Sequence, residues 1–157
     1  MKLTDIVAEG AIVTNLAGKD RDAVVNEMMD ALVAAGVANA ELRDELIKRV
    51  LTREKHGSTG FGRGVAVPHV KHPAIKRMTA GIGLSPGGID FAALDKQPVY
   101  SVFMLLSPED KPEEHLQAME VIFKNLSKDT FRRFLRQAGT VEEVRSLLDE
   151  ADGQQME

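Results

Sequence analysis

Eight consecutive residues, Val99-Tyr100-Ser101-Val102-Phe103-Met104-Leu105-Leu106, form a nearly continuous apolar run. A strand with one wet face alternates apolar and polar residues. A run without that alternation predicts a strand buried on both faces, and so a sheet covered by helices on both sides. Asp95-Lys96-Gln97-Pro98 punctuates the chain just before it. The run is far shorter than the ~18–20 apolar residues a membrane span needs. Met78, Ala80, Ile82 and Leu84 alternate as a second strand, and Pro86-Gly87-Gly88 is expected to turn the chain. Shorter β-type stretches occur at Ala11 to Leu16 and at Val65-Ala66-Val67, the latter ended by Pro68, which cannot donate to a ladder.

Helical spacing fills the remainder. Val24, Met28, Ala31, Leu32 and Ala35 fall on one face after Asp20, and Gly36 ends that helix. Asn39 caps a second helix with the stripe Leu42, Leu46, Val50, stopped by Gly57; Arg49 and Arg53 sit four apart on it. Pro112 suits a first helical position before Leu116, Met119, Ile122 or Phe123, and Leu126. A shorter helix carries Phe131, Phe134 and Leu135, and Thr140 with Glu143 is a capping box for the last one. The predicted fold is α/β, a single domain with a mixed β-sheet flanked by helices, over residues 1–151. Residues 152–157 read as a polar tail.

At 157 residues the chain has the length of one domain. Its formal net charge is -4, unlike the basic field a nucleic-acid groove requires. It has no Cys, which excludes disulfides, thiolate zinc sites and a cysteine nucleophile. The start, Met1-Lys2-Leu3-Thr4-Asp5, does not read as a signal peptide, so a cytoplasmic location without membrane insertion is expected.

Between the second helix and Val65 lies Ser58-Thr59-Gly60-Phe61-Gly62-Arg63-Gly64, too glycine-rich to be expected as helix or strand. Gly60-x-Gly62-x-Gly64 lacks the spacing of a dinucleotide fingerprint. Gly57 to Gly62 has Walker spacing, but Arg63-Gly64 follows where Lys-Ser/Thr is required. Both motifs need a loop leading from strand to helix, and this one runs from helix to strand.

Four histidines remain: His56, His69, His72 and His115. His56 and His72 read as solvated or hydrogen-bonded structural residues. A metal set of His69, His72 and His115 has no helical pair spacing and no carboxylate obviously placed to complete it. His69 stands out, because a short apolar strand and Pro68 deliver it next to a loop of hydroxyl residues. A ring with one nitrogen fixed and the other open is a nucleophile near neutral pH, able to take and pass a phosphoryl group. Ser58 and Thr59 could donate to phosphoryl oxygens and Arg53 could supply charge; the ordinary alternatives are loop capping and a solvated helix face. His115, after Glu113 and Glu114 in the first turn of a helix, is either a phosphate-facing group or an exposed residue on a charged turn.

Arg53-Glu54 followed by Gly57-Ser58-Thr59-Gly60-Phe61-Gly62-Arg63-Gly64-Val65-Ala66-Val67-Pro68-His69 closely resembles the active-site segment of the fructose/mannitol-type enzyme IIA domain of the bacterial sugar phosphotransferase system. That family includes the nitrogen-regulatory enzyme IIA. Glu113-Glu114-His115-Leu116 resembles its second histidine segment, and the likeness runs from Leu3 to the final helix. The resemblance implies a phosphoryl carrier without metal or cofactor, a phosphotransferase component. In it His69 accepts the group from HPr or an HPr-like phosphocarrier, while Arg53 and His115 flank it with Ser58 and Thr59 nearby. The group would pass to an enzyme IIB. Alternatively the chain would act mainly as a phosphorylation-switched binding module controlling a transporter or kinase, a reading encouraged by the lack of a fused membrane segment. Val70 after the histidine and Arg63 in the loop depart from the family pattern and are expected to alter how a partner meets the ring.

Overall fold

The computed structural model describes residues 1–155. The apolar run is the middle of β6 (Val99–Pro108), and its side chains divide between two cores. Phe103 and Leu105 join a cluster with α4 (Pro112–Leu126), α5 (Asp129–Gln137) and α6 (Val141–Gln155). Val102, Met104 and Leu106 join a second cluster with α2 (Arg21–Ala34) and α3 (Arg43–Lys55). Helices therefore cover both faces, as a strand with no polar side must be covered.

β6 is the hub of a six-stranded mixed sheet. It pairs antiparallel with β5 (Thr79–Ile89), and parallel with β3 (Val65–Ala66) and β4 (His69–His72). β1 (Val7–Val13) lies parallel to the far side of β5, and β2 (Gly60–Gly62) closes the other edge against β3. On β5, Ala80, Ile82 and Leu84 face the first core as their alternation predicts. The glycines between them admit α2: a side chain at Gly83 would lie within 2.7 Å of Met28 Sδ. Asp20 caps α2 by accepting from the Ala23 N–H. Asn39 caps a short 3-10 turn, Ala40–Leu42, and α3 begins only at Arg43.

Four expectations change. Within the expected loop Ser58 to Gly64, Gly60–Gly62 is strand β2 and forms a small hairpin with β3, because β3 finds a partner in β6 that local composition does not reveal. Pro86-Gly87-Gly88 is not a turn; β5 continues through it with a register shift between Leu84 and Ile89, and the pairing Ile89↔Val99 resumes beyond. β1 starts at Val7, earlier than expected, and stops before Leu16.

The polar tail is the fourth. α6 runs on through Gln155, and Asp152 is buried. Its carboxylate accepts from Leu3 N at 2.7 Å, Thr4 N at 3.1 Å and Thr4 Oγ1 at 2.7 Å. It thereby caps α1 (Leu3–Ile6) from the other end of the chain. Residues 156 and 157 of that expected tail lie outside the described residues. Asp152→Ala is expected to cost about 2–4 kcal/mol in urea unfolding, since it strands buried donors at a helix start. A loss below ~0.5 kcal/mol would mean this clamp is not formed.

Candidate functional site

Pro68 and β4 set the site. The carbonyl of Pro68 accepts from Leu105 N at 3.0 Å, and His69 pairs with Leu105, so the ring sits where the short apolar run meets the central strand. His69 thus opens a strand rather than following one. Its side chain is half-buried, and Nδ1 lies 2.9 Å from the carbonyl oxygen of Val67. A carbonyl only accepts, so Nδ1 carries the proton and donates. Burial first, then the positive charges of Arg53 and Lys71, hold the ring's pKa below its usual value. At neutral pH the imidazole is therefore uncharged, with its lone pair on Nε2.

His115 comes to the same place from α4. Its ring centroid is 5.5 Å from that of His69, with the planes tilted by 52°. Glu113 and Glu114 of the same turn are exposed, while His115 turns inward and is only 5% exposed. The reading of His115 as exposed on a charged turn is therefore excluded. Its Nδ1 lies 2.7 Å from Ser107 Oγ, at the end of β6; Met78 Sδ is the other contact of that hydroxyl, at 3.0 Å. Ser107 has one hydroxyl proton and two groups beside it, the thioether, which only accepts, and the imidazole, so it anchors the ring at Nδ1 rather than fixing its tautomer. Both rings are thus anchored at Nδ1, His69 by a carbonyl oxygen that fixes its tautomer and His115 by a hydroxyl.

Burial, with lesser contributions from Lys71 and His69, lowers the His115 pKa to about 4. A histidine that is neutral when folded stabilises fully above its unfolded pKa near 6.5. That contribution is lost as pH falls from there toward about 4, and is worth at most about 3 kcal/mol. His69 acts in the same direction. Glu54, whose carboxyl is pushed up by burial, partly offsets it. Melting curves should therefore drop between pH 6.5 and 4.5, and His115→Gln should flatten the drop; an equal drop in that variant would contradict the assignment.

The upstream segment is organised by a residue that spacing did not single out. Glu54, 3% exposed, accepts from Thr59 N at 3.0 Å and from Thr59 Oγ1 at 2.9 Å. Thr59 is fully buried and its hydroxyl proton is already committed, so the expected donation from Thr59 to a phosphoryl group does not fit this arrangement. Ser58 Oγ accepts from Gly60 N at 3.0 Å, a bond that leaves its own proton available. Arg53 is exposed at the end of α3 and spans the loop by donating from Nη1 to the Gly57 carbonyl at 2.7 Å. Four residues back, Arg49 donates to the Lys71 carbonyl at 3.1 Å and braces β4. The helix-to-strand return thus brings the half-buried His69 ring opposite the inward-turned ring of His115.

Residues 5–151 match the family model described as "Phosphoenolpyruvate-dependent sugar phosphotransferase system, EIIA 2". The chain belongs to this EIIA family. It is 32% identical over 155 residues to the "Nitrogen regulatory protein" of Pseudomonas aeruginosa (strain PAO1), covering 98% of this chain and 99% of that one. It is also 30% identical over 152 residues to the "PTS system fructose-specific EIIABC component" of Bacillus subtilis (strain 168). That match covers 97% of this chain and 24% of the relative, so the chain spans about a quarter of the longer protein. The crystal structure of nitrogen regulatory protein IIA-Ntr from Neisseria meningitidis superposes with a TM-score of 0.83 at 29% identity, covering 92% of this chain and 97% of that one.

Within this EIIA fold the two departures noted in the sequence take other roles. Val70 is 5% exposed and packs in the α2–α3 core, so its side chain faces away from any visitor to His69. Arg63 sits at the β2–β3 turn, its backbone N–H bonded to Asp95; the cations acting on His69 are Arg53 and Lys71 instead. His72 is buried on the opposite face of β4 from His69. Its Nε2 donates to Glu45 at 3.0 Å and its Nδ1 accepts from Ala74 N at 2.9 Å, so it cannot join a metal set with His69 and His115. His56 is exposed, with Nδ1 bonded to the Thr52 carbonyl. Among the described residues no helix is long and apolar enough to cross a membrane.

Proposed function

We propose that the chain is a histidine phosphoryl carrier. His69 Nε2 accepts the phosphoryl group of phospho-HPr or an HPr paralogue and passes it to an enzyme IIB, or holds it as a regulatory mark. The observation that carries this reading is the tautomer imposed on His69 by Val67, which leaves Nε2 as the open nucleophilic atom. In the transfer, the Nε2 lone pair attacks phosphorus along the line of the donor's P–N bond. That bond breaks, and its electron pair returns to the donor ring. The Val67 carbonyl then supports the positive charge that develops on the His69 ring.

His115 Nε2–H donates to a non-bridging phosphoryl oxygen, and Arg53 and Ser58 supply further charge and a hydroxyl donor. Because donor and acceptor are both side chains, these groups take the part that magnesium plays in a kinase. Incubation with phosphoenolpyruvate, enzyme I and HPr should add one acid-labile phosphate per chain; no uptake from any HPr-type donor would refute the proposal. His115→Ala should slow uptake by about 10²-fold while the end point stays at one phosphate, since one transition-state donor is lost and the acceptor is kept. An end point of zero would contradict that division of labour.

The regulatory use is the second reading, favoured by the end-to-end match with a nitrogen regulatory protein. A phosphoryl group adds a charge of ≈ −1.5 to −2 at the mouth of the site and can make or break an interface there. Co-purification with wild type and with His69→Asp separates the two uses. A partner retained by only one of them supports regulation, whereas identical partners support a simple relay.

A further inference from the structure

We propose that the cleft between the β2–β3 turn and α5 binds a small, multiply phosphorylated metabolite, independently of the phosphoryl site. The chain carries a net charge of -4, yet this open cleft of about 500 Å³ gathers Arg63, Arg132, Arg133 and Arg136 against only Asp95 and Asp129. Both carboxylates are already engaged. Asp129 lies 3.4 Å from Arg132 and 4.0 Å from Arg133, and Asp95 accepts from the backbone N–H groups of Arg63 and Gln97. Among the described residues no carboxylate pairs with the guanidinium of Arg63 or of Arg136.

Two of the four arginines are held in place before any ligand arrives. The Arg136 guanidinium lies 3.4 Å from the centroid of the Tyr100 ring. That ring is itself gripped by Gly64 and Gly88, where an added Cβ would come within 3.0 and 3.1 Å of it. Arg132, with a side chain 16% exposed, donates from Nη1 to the Leu126 carbonyl at 2.8 Å. Arg63 projects from the opposite wall at φ 61°, a left-handed conformation that a non-glycine residue adopts only under constraint from its surroundings.

Planar guanidinium forks match phosphate oxygens in pairs. Four of them, arriving from two separate elements, exceed what one phosphate requires and suit two linked or neighbouring phosphates. The volume falls in the ~300–1,000 Å³ range of small-molecule sites, so there is room for an organic body as well. An extended acidic peptide would need a longer track than this one cleft.

Calorimetric titration of the whole chain with inorganic pyrophosphate tests the proposal. One saturable site is expected, unchanged in His69→Ala and in Arg77→Gln. Binding should weaken about tenfold or more in the Arg63→Gln/Arg136→Gln double variant, the loss of one or two charge-assisted hydrogen bonds. Arg63→Gln alone, at an exposed turn, should weaken it measurably and serves if the double variant misfolds. Absence of saturable binding, equal affinity in Arg63→Gln, or equal loss in His69→Ala would each overturn the proposal. So would binding of a poly-glutamate peptide without binding of pyrophosphate.

Discussion

His69→Ala is expected to take up no phosphate under conditions that bring the wild-type chain to one equivalent. On the proposed carrier role the effect is all-or-none, because the variant lacks the accepting atom rather than a group that assists it. Its fold should survive. His69 is half-buried at the first position of β4, and the contact that matters to the sheet is backbone pairing opposite Leu105, which Ala keeps. Its melting curve should stay close to wild type, a surface-like change of under ~1 kcal/mol. His69→Gln should be equally silent, since the lone pair of an amide nitrogen is delocalised into its carbonyl and does not attack phosphorus. One equivalent of phosphate on His69→Ala would place the acceptor elsewhere and remove the basis of the carrier proposal.

Phe103→Ala should give the largest loss of stability among single changes, about 3–5 kcal/mol. Phe103 is fully buried at the centre of β6, opposite Ile82 of β5, and faces the core shared with α4, α5 and α6. Close-packed interiors relax only partly around a deleted ring, so a cavity is left along with the lost burial. Against a total of ~5–15 kcal/mol for an ordinary domain, that is a large share. Urea denaturation should show a lower midpoint with an unchanged slope. A loss near 1 kcal/mol would mean that β6 is not the hub of the sheet.

That hub could be read from the amino-acid sequence because both of its faces are apolar, and burial on two sides leaves no other strand reading. The helices were legible for a related reason: Asp20 and Pro112 are strong local start signals, although after Pro112 the expected Leu116 is 62% exposed and the buried face runs through Ala118, Val121, Ile122 and Leu126 instead. What escaped depends on partners distant in the chain. Nothing in Gly60-Phe61-Gly62 announces a strand; the β2–β3 hairpin exists because β3 can pair with β6. Asp152 looks like part of a polar terminus until α1 brings three donors to it.

The site divides in the same way. His69 stood out as a candidate from Pro68 and the hydroxyl loop before it, whereas His115 stood between two readings that only its burial separates. Which nitrogen of each ring is open was not legible, because Val67 O and Ser107 Oγ set it through packing. Glu54 hides in a charged helix end and is recognisable only once its burial against Thr59 is known. Thr59, by residue type alone, looks as free as Ser58. Lys71 points along the same strand face as His69 and adds charge beside that of Arg53.

The central claim is that phosphorus bonds to one nitrogen of one ring. Nitrogen-15 NMR of the phosphorylated chain, with imidazole nitrogens labelled, reads this directly. The account predicts phosphorus coupling at Nε2 of His69, a retained proton on its Nδ1, and an His115 ring free of phosphorus. Coupling at His69 Nδ1, or at either nitrogen of His115, would contradict it.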